Sequence, residues 1–154
     1  MKKKTILYTL LILSLLGLIA SIYLVHLHYK QFDSFCDFNA RFSCTSINQS
    51  AYANIFGVPV SILGVLGYTF FLLVPLLSLF NVSFSGIYQR LTILRVWKFY
   101  FLVSFIALLF SFYLTYLELH TIKVICPLCV FSQIIIITIV FFSYVLMNKI
   151  KKVS

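Results

Sequence analysis

A chain of 154 residues with 62% hydrophobic side chains, 10% charged ones and a mean hydropathy of +1.08 is too apolar for a soluble domain and belongs in a membrane. Its length is expected to provide one compact bundle, so that any chemistry sits in or beside the bilayer. The formal charge of +9 does not signal nucleic-acid binding, because the basic residues form short clusters between apolar runs instead of one basic face.

In chain order, a basic start (Lys2, Lys3, Lys4) leads into the first expected span, 5–29, which lacks any formally charged residue. At about 1.5 Å per residue it can cross the hydrocarbon core. A cleaved signal peptide would be shorter and end in small residues, whereas this run continues into His26 and His28, so a retained helix is expected. The segment 30–55 is the long hydrophilic loop, carrying Asp33, Asp37, Arg41, Cys36 and Cys44. Ser46 is placed to cap a short helix running toward Tyr52. The second span, 56–80, opens on Gly57 and Pro59 and carries Pro75, where neighbouring helices can tolerate a kink. A basic turn with Arg90, Arg95 and Lys98 then leads to the third span, 99–117. A brief turn, 118–123, precedes the fourth span, 124–148, and Lys149, Lys151 and Lys152 follow it. The expected fold is therefore an all-α membrane protein, a four-transmembrane-helix bundle forming one integral membrane domain over 1–154.

Orientation follows from the cations. Nine of the twelve Lys and Arg residues lie at the termini and in the central loop, while Lys30, Arg41 and Lys123 occupy the other two loops beside Asp33, Asp37 and Glu118. By the positive-inside rule both termini are cytoplasmic, which puts all four cysteines on the outer, oxidising side. A bacterial cytoplasmic (inner) membrane is the expected location, with the endoplasmic reticulum as the equivalent compartment.

The cysteines carry the chemistry. Cys126-Pro127-Leu128-Cys129 spaces two thiols so that one helix face presents both, and Pro127 suits the first turn of a helix starting there. The positive end of that helix dipole favours a thiolate, the reactive form in dithiol exchange. Cys36 and Cys44, separated by seven loop residues, form a second pair on a different element. A mobile pair and an anchored pair suit a relay, in which a thiolate attacks a disulfide through a mixed intermediate. With no nucleotide-binding motif in the chain, a membrane-dissolved quinone is the natural two-electron acceptor. Two other classes stand beside this reading. One is a metal-binding membrane protein with thiolate ligands, for which Cys-x₂-Cys is a common zinc half-site but Cys-x₇-Cys a poor one. The other is a structural bundle stapled by static disulfides.

Beyond these readings, Cys36-Asp37, Ser43-Cys44, Ser50, Tyr52-Ala53, Phe56-Gly57-Val58-Pro59-Val60-Ser61 and Cys126-Pro127-Leu128-Cys129 resemble, in order and spacing, the vitamin K epoxide reductase family in its bacterial stand-alone form. The resemblance implies a membrane thiol:quinone oxidoreductase whose bundle surrounds ubiquinone or menaquinone. It also implies that Cys36 meets a separate thioredoxin-fold (DsbA-like) partner, that Cys44 forms the mixed disulfide with Cys126, and that Cys129 faces the quinone with Ser50 near its ring. Such a protein supports disulfide-bond formation. The family's animal enzymes place a tyrosine four residues after the last cysteine, where this chain has Gln133, which points to plain quinone reduction.

Gln133 and Ser132 could each donate to a quinone oxygen or bond a neighbouring helix. Asp37 reads as a solvated loop charge. His26, His28 and His120 read as polar ends of spans, with no metal site expected.

Overall fold

The computed structural model describes residues 3–30, 37, 43–48, 50, 53–55, 57–80 and 89–152. Helix α1 (Lys3–Lys30) is followed by the one-and-a-half-turn helix α2 (Cys44–Asn48) and a two-stranded hairpin, β1 (Asn54–Ile55) and β2 (Val58–Pro59). Then come α3 (Val60–Leu79), α4 (Gln89–Leu117), a π turn (Glu118–Ile122) and α5 (Pro127–Lys152). The helices α1, α3, α4 and α5 are long and apolar enough to cross a membrane. Their outward faces carry Ile12, Leu66, Leu102 and Phe141, each more than half exposed, which suits contact with lipid. The chain is a multi-pass four-helix membrane bundle.

Two boundaries differ from the expectation. The segment 89–98 is helical where a basic turn was expected, because no Gly or Pro interrupts 89–117 and the helix buries Trp97 while Arg95 and Lys98 stay exposed. The first residues of the second apolar run form the hairpin instead of a helix. Gly57, at φ 82°, turns the chain so that Asn54 pairs with Pro59 and Ile55 with Val58, and α3 begins only after Pro59.

The bundle packs by close approach of small residues. A Cβ on Gly17 would run into the ring of Tyr68, and one on Gly64 would lie 2.9 Å from Ser21 Oγ, so α1 and α3 touch along a seam that larger residues would wedge open. Pro75, fully buried in α3, has no N–H to give the Phe71 carbonyl one turn back. Neighbouring helices supply donors: Ser14 Oγ from α1 at 3.0 Å, its one proton shared with the Leu10 carbonyl at 2.7 Å, and Tyr100 OH from α4 at 3.3 Å. The main apolar core surrounds this knot with Leu10, Phe71, Trp97, Tyr100 and Ile139. A smaller cluster at the opposite end joins Leu27, Cys44 and Cys126.

Candidate functional site

The first turn of α5 builds one half of the site. Pro127 occupies the first helical position, so Cys126 stands where a capping residue belongs, and its Sγ accepts the Cys129 N–H at 3.2 Å. The Cys126 carbonyl starts the helical ladder by accepting from Val130 N–H at 3.1 Å. Cys126 is fully buried, Cys129 half-buried, and both are free thiols.

Helix α2 builds the other half. Ser43 is its cap, accepting the Ser46 N–H at 3.1 Å, so the expected capping role of Ser46 passes to Ser43, three residues earlier. The cap sits there because the helix begins at Cys44; Tyr52, toward which that helix was expected to run, lies outside the described residues. Asp37 is engaged rather than merely solvated: its carboxylate accepts from Thr45 Oγ1 at 2.6 Å and from Thr45 N–H at 3.3 Å, at the positive end of α2. The Ser43 N–H also donates to the Ile125 carbonyl at 3.2 Å, tying α2 to the strand-like connector that leads into Cys126. Cys44 is consequently fully buried against α5, not carried on a mobile loop, and it is disulfide-bonded. Cys36 lies outside the described residues.

These two halves bring Cys126 Sγ to 3.3 Å from Cys44 Sγ, across a sequence separation of 82 residues. Below the sulfurs opens a mainly apolar cavity of about 210 Å³, lined by Cys44, Cys126 and Cys129 together with Ser50, Ser61 and Glu118. Ser50 donates to the Ile47 carbonyl at 2.7 Å, which fixes its place on the cavity wall. Gln133 stands outside the lining: its Oε1 accepts from Thr115 Oγ1 at 2.7 Å and so joins α4 to α5. Ser132 lines the cavity and is engaged by Tyr68 OH, 2.6 Å from its Oγ, which joins α3 to α5.

Two lining residues escaped the sequence reading. Ser61 is buried, and its hydroxyl has no hydrogen-bond partner among the described residues. Glu118 opens the π turn, is 5% exposed, accepts a long hydrogen bond of 3.5 Å from Cys126 N–H, and interacts electrostatically with the Cys129 side chain. Its signal in the sequence was its scarcity, since the chain has only three acidic residues and the other two lie in the polar loop. The field at the thiols is therefore more than a helix dipole, because a carboxyl group faces them. His120 and His28 stand apart: His120 lies tilted against the exposed Tyr116 ring at 4.6 Å, and His28 meets Tyr29 edge-on at 5.5 Å. Among the described residues no three His, Cys, Asp or Glu side chains gather as a metal site would require.

A closely set dithiol with a second cysteine 3.3 Å away, above an apolar cavity, has the geometry that thiol–disulfide exchange needs. The model of the vitamin K epoxide reductase family matches residues 8–144, most of the chain. The chain belongs to the vitamin K epoxide reductase family. As a member of that family it is a membrane thiol–disulfide oxidoreductase, and the family is linked to quinone chemistry in general. No curated protein matches the chain.

Proposed function

We propose that this vitamin K epoxide reductase family member is a thiol:quinone oxidoreductase that reoxidises a thioredoxin-fold partner outside the cytoplasm and so supports disulfide-bond formation. The observation that carries the reading is the 3.3 Å gap between Cys126 Sγ and Cys44 Sγ at the mouth of the cavity. A bond there needs an approach of only about 1.3 Å to reach the usual S–S length of roughly 2.05 Å.

The partner's dithiol reduces the Cys36–Cys44 disulfide, and in doing so becomes a disulfide itself. The Cys44 thiolate then attacks Cys126 of a Cys126–Cys129 disulfide, forming the Cys44–Cys126 bond and releasing Cys129. Cys36 next attacks Cys44, which frees Cys126 and leaves Cys126 and Cys129 as the dithiol. The redox distribution of the structure, Cys44 in a disulfide beside two free thiols, matches the state after this transfer. The dithiol then gives up two electrons and two protons as its disulfide closes. A quinone supplies the two-electron, two-proton acceptor. The cavity fits such a molecule: its walls are mostly apolar, Cys129 lines it, and the orphan Ser61 hydroxyl can donate to a carbonyl oxygen. Ser50 contributes a second polar point, while Gln133 holds the α4–α5 wall through Thr115.

The positive-inside pattern supports cytoplasmic termini in a bacterial inner membrane, with the cysteines outside. The test is menadione reduction by the purified full chain in detergent, followed by ultraviolet absorbance with dithiothreitol as donor. Wild-type protein should consume menadione and Cys129→Ser should not. Mass spectrometry of Cys36→Ser, taken without added reductant, should find Cys44 joined to Cys126, because the thiol that attacks Cys44 and frees Cys126 is gone. Menadione loss that persists in Cys129→Ser refutes the reading.

A further inference from the structure

The dithiol has to shed two protons as it closes, and one group in the described structure is built to take one. We propose that Glu118 is the proton acceptor for Cys129, and that it passes this proton toward the acceptor in the cavity. The inference rests on the thiol:quinone reading above and names the acid–base residue of that site.

Three observations carry it. Glu118 stands beside the reacting dithiol, its Oε2 3.5 Å from Cys126 N, and its side chain and that of Cys129 interact electrostatically. It also lines the cavity that both thiols line, so a proton taken from Cys129 stays within the chamber where it is needed. Finally, its burial has no structural explanation in charge pairing. Among the described residues no Lys or Arg pairs with it, although an ionisable group at membrane depth is costly and is normally either paired or functional. The long bond to Cys126 N–H contributes some anchoring but leaves the other carboxyl oxygen for the thiol.

The neighbours leave the role to Glu118. Cys126 and Cys129 are the titratable groups that face it from the connector and α5, and from α2 it is Cys44, which is in a disulfide. The α3 side offers the neutral hydroxyls of Ser61 and of Tyr68, the latter bonded to Ser132, the α4 side those of Ser111 and Thr115, and the α1 side that of Ser21. His120, on the same π turn, is exposed and lies tilted against Tyr116, and Lys123 is exposed at the turn's left-handed end. Of the chain's other two acids, Asp37 is committed to Thr45 at the start of α2, and Asp33 lies outside the described residues.

The step balances. Cys126–SH and Cys129–SH lose two electrons and two protons and form one S–S bond, while a quinone gains the same electrons and protons to become a quinol. The Glu118 carboxylate takes the Cys129 proton as the sulfur is committed and releases it afterwards, ending the cycle as a carboxylate.

Glu118→Gln keeps an oxygen for the Cys126 N–H but cannot carry a proton. With menadione and dithiothreitol its kcat should fall about 100-fold, in the range of positioned acid–base groups, with KM little changed. Wild-type activity should decline on the acid side as the carboxyl protonates, and the variant should lack that decline. A second readout needs no quinone: the pH dependence of Cys129 alkylation by N-ethylmaleimide in a Cys126→Ser background. Two coupled groups titrate in two steps, and one group titrates in one. The Cys126→Ser protein should therefore show two steps, and the same protein carrying Glu118→Gln should show one. A wild-type kcat in Glu118→Gln, a reduced kcat with an unchanged pH profile, or a single alkylation step with Glu118 in place overturns the proposal. Wild-type protein that fails to reduce menadione refutes the underlying function instead, and the alkylation profiles then still decide whether Glu118 and Cys129 share a proton.

Discussion

The carbonyl of Phe71 allows a quantitative test of how this bundle is held together. Pro75 withholds the helical donor, and Ser14 and Tyr100 replace it at 3.0 Å and 3.3 Å. Removing one hydroxyl, by Ser14→Ala or Tyr100→Phe, leaves the other in place and should cost roughly 0.6 kcal/mol, typical for a hydrogen bond between membrane helices. Removing both strands a buried carbonyl, which adds a desolvation cost of about 1–3 kcal/mol beyond the sum of the singles. The two hydroxyls converge on one carbonyl and also interact with each other, a coupling of opposite sign. That contribution is common to both backgrounds if the same double-mutant cycle is repeated with Pro75→Ala, which restores a donor to Phe71. The coupling energy should therefore differ between the two backgrounds by about 1–3 kcal/mol. Reversible unfolding of the full set of variants in mixed detergent–SDS micelles provides the energies. Equal couplings with and without Pro75→Ala would refute the claim that the hydroxyls serve the carbonyl that proline leaves open.

Other outcomes follow from the same structure. Gly17→Ala should destabilise the bundle by about 1–3 kcal/mol in the same unfolding assay, because the added methyl displaces the Tyr68 ring that is bonded to Ser132. Ser43→Ala should remove the cap of α2 at a cost of about 1 kcal/mol, read as roughly fivefold faster amide hydrogen exchange over Cys44–Asn48. Ser61→Ala should leave unfolding stability the same or slightly higher, since the hydroxyl has no partner among the described residues, yet raise the KM for menadione roughly 2- to 12-fold.

The four spans were legible because continuous apolar runs of sufficient length have few alternatives in water or lipid. Their ends were less legible. Cations at 90, 95 and 98 look like a turn when counted as charges, yet the segment is helical, with Arg95 and Lys98 on the exposed face of a helix that buries Trp97. The hairpin at 54–59 is too short to show a period, and only the positive φ of Gly57 reveals it. In the site, the Cys-x₂-Cys motif pointed directly to the start of α5 because Pro127 favours a first helical turn. The approach of Cys44 to Cys126 could not be read from spacing alone, since it depends on a backbone bond between Ser43 and Ile125. Glu118 and Ser61 were hidden for a similar reason: one counted only as a charge beside a turn and the other only as the last residue of a motif, until tertiary structure turned both toward one cavity.

The five-residue length of α2 bears on how the protein matures. So short a helix has no stability of its own, and it relies on Leu27, on the Ile125 carbonyl and on the wall of α5. The Cys44–Cys126 juxtaposition is thus a property of the assembled bundle rather than of any local stretch of chain. A nascent chain whose last helix has not yet inserted cannot bring Cys44 to Cys126, so this approach of two sulfurs arrives only on completion of assembly.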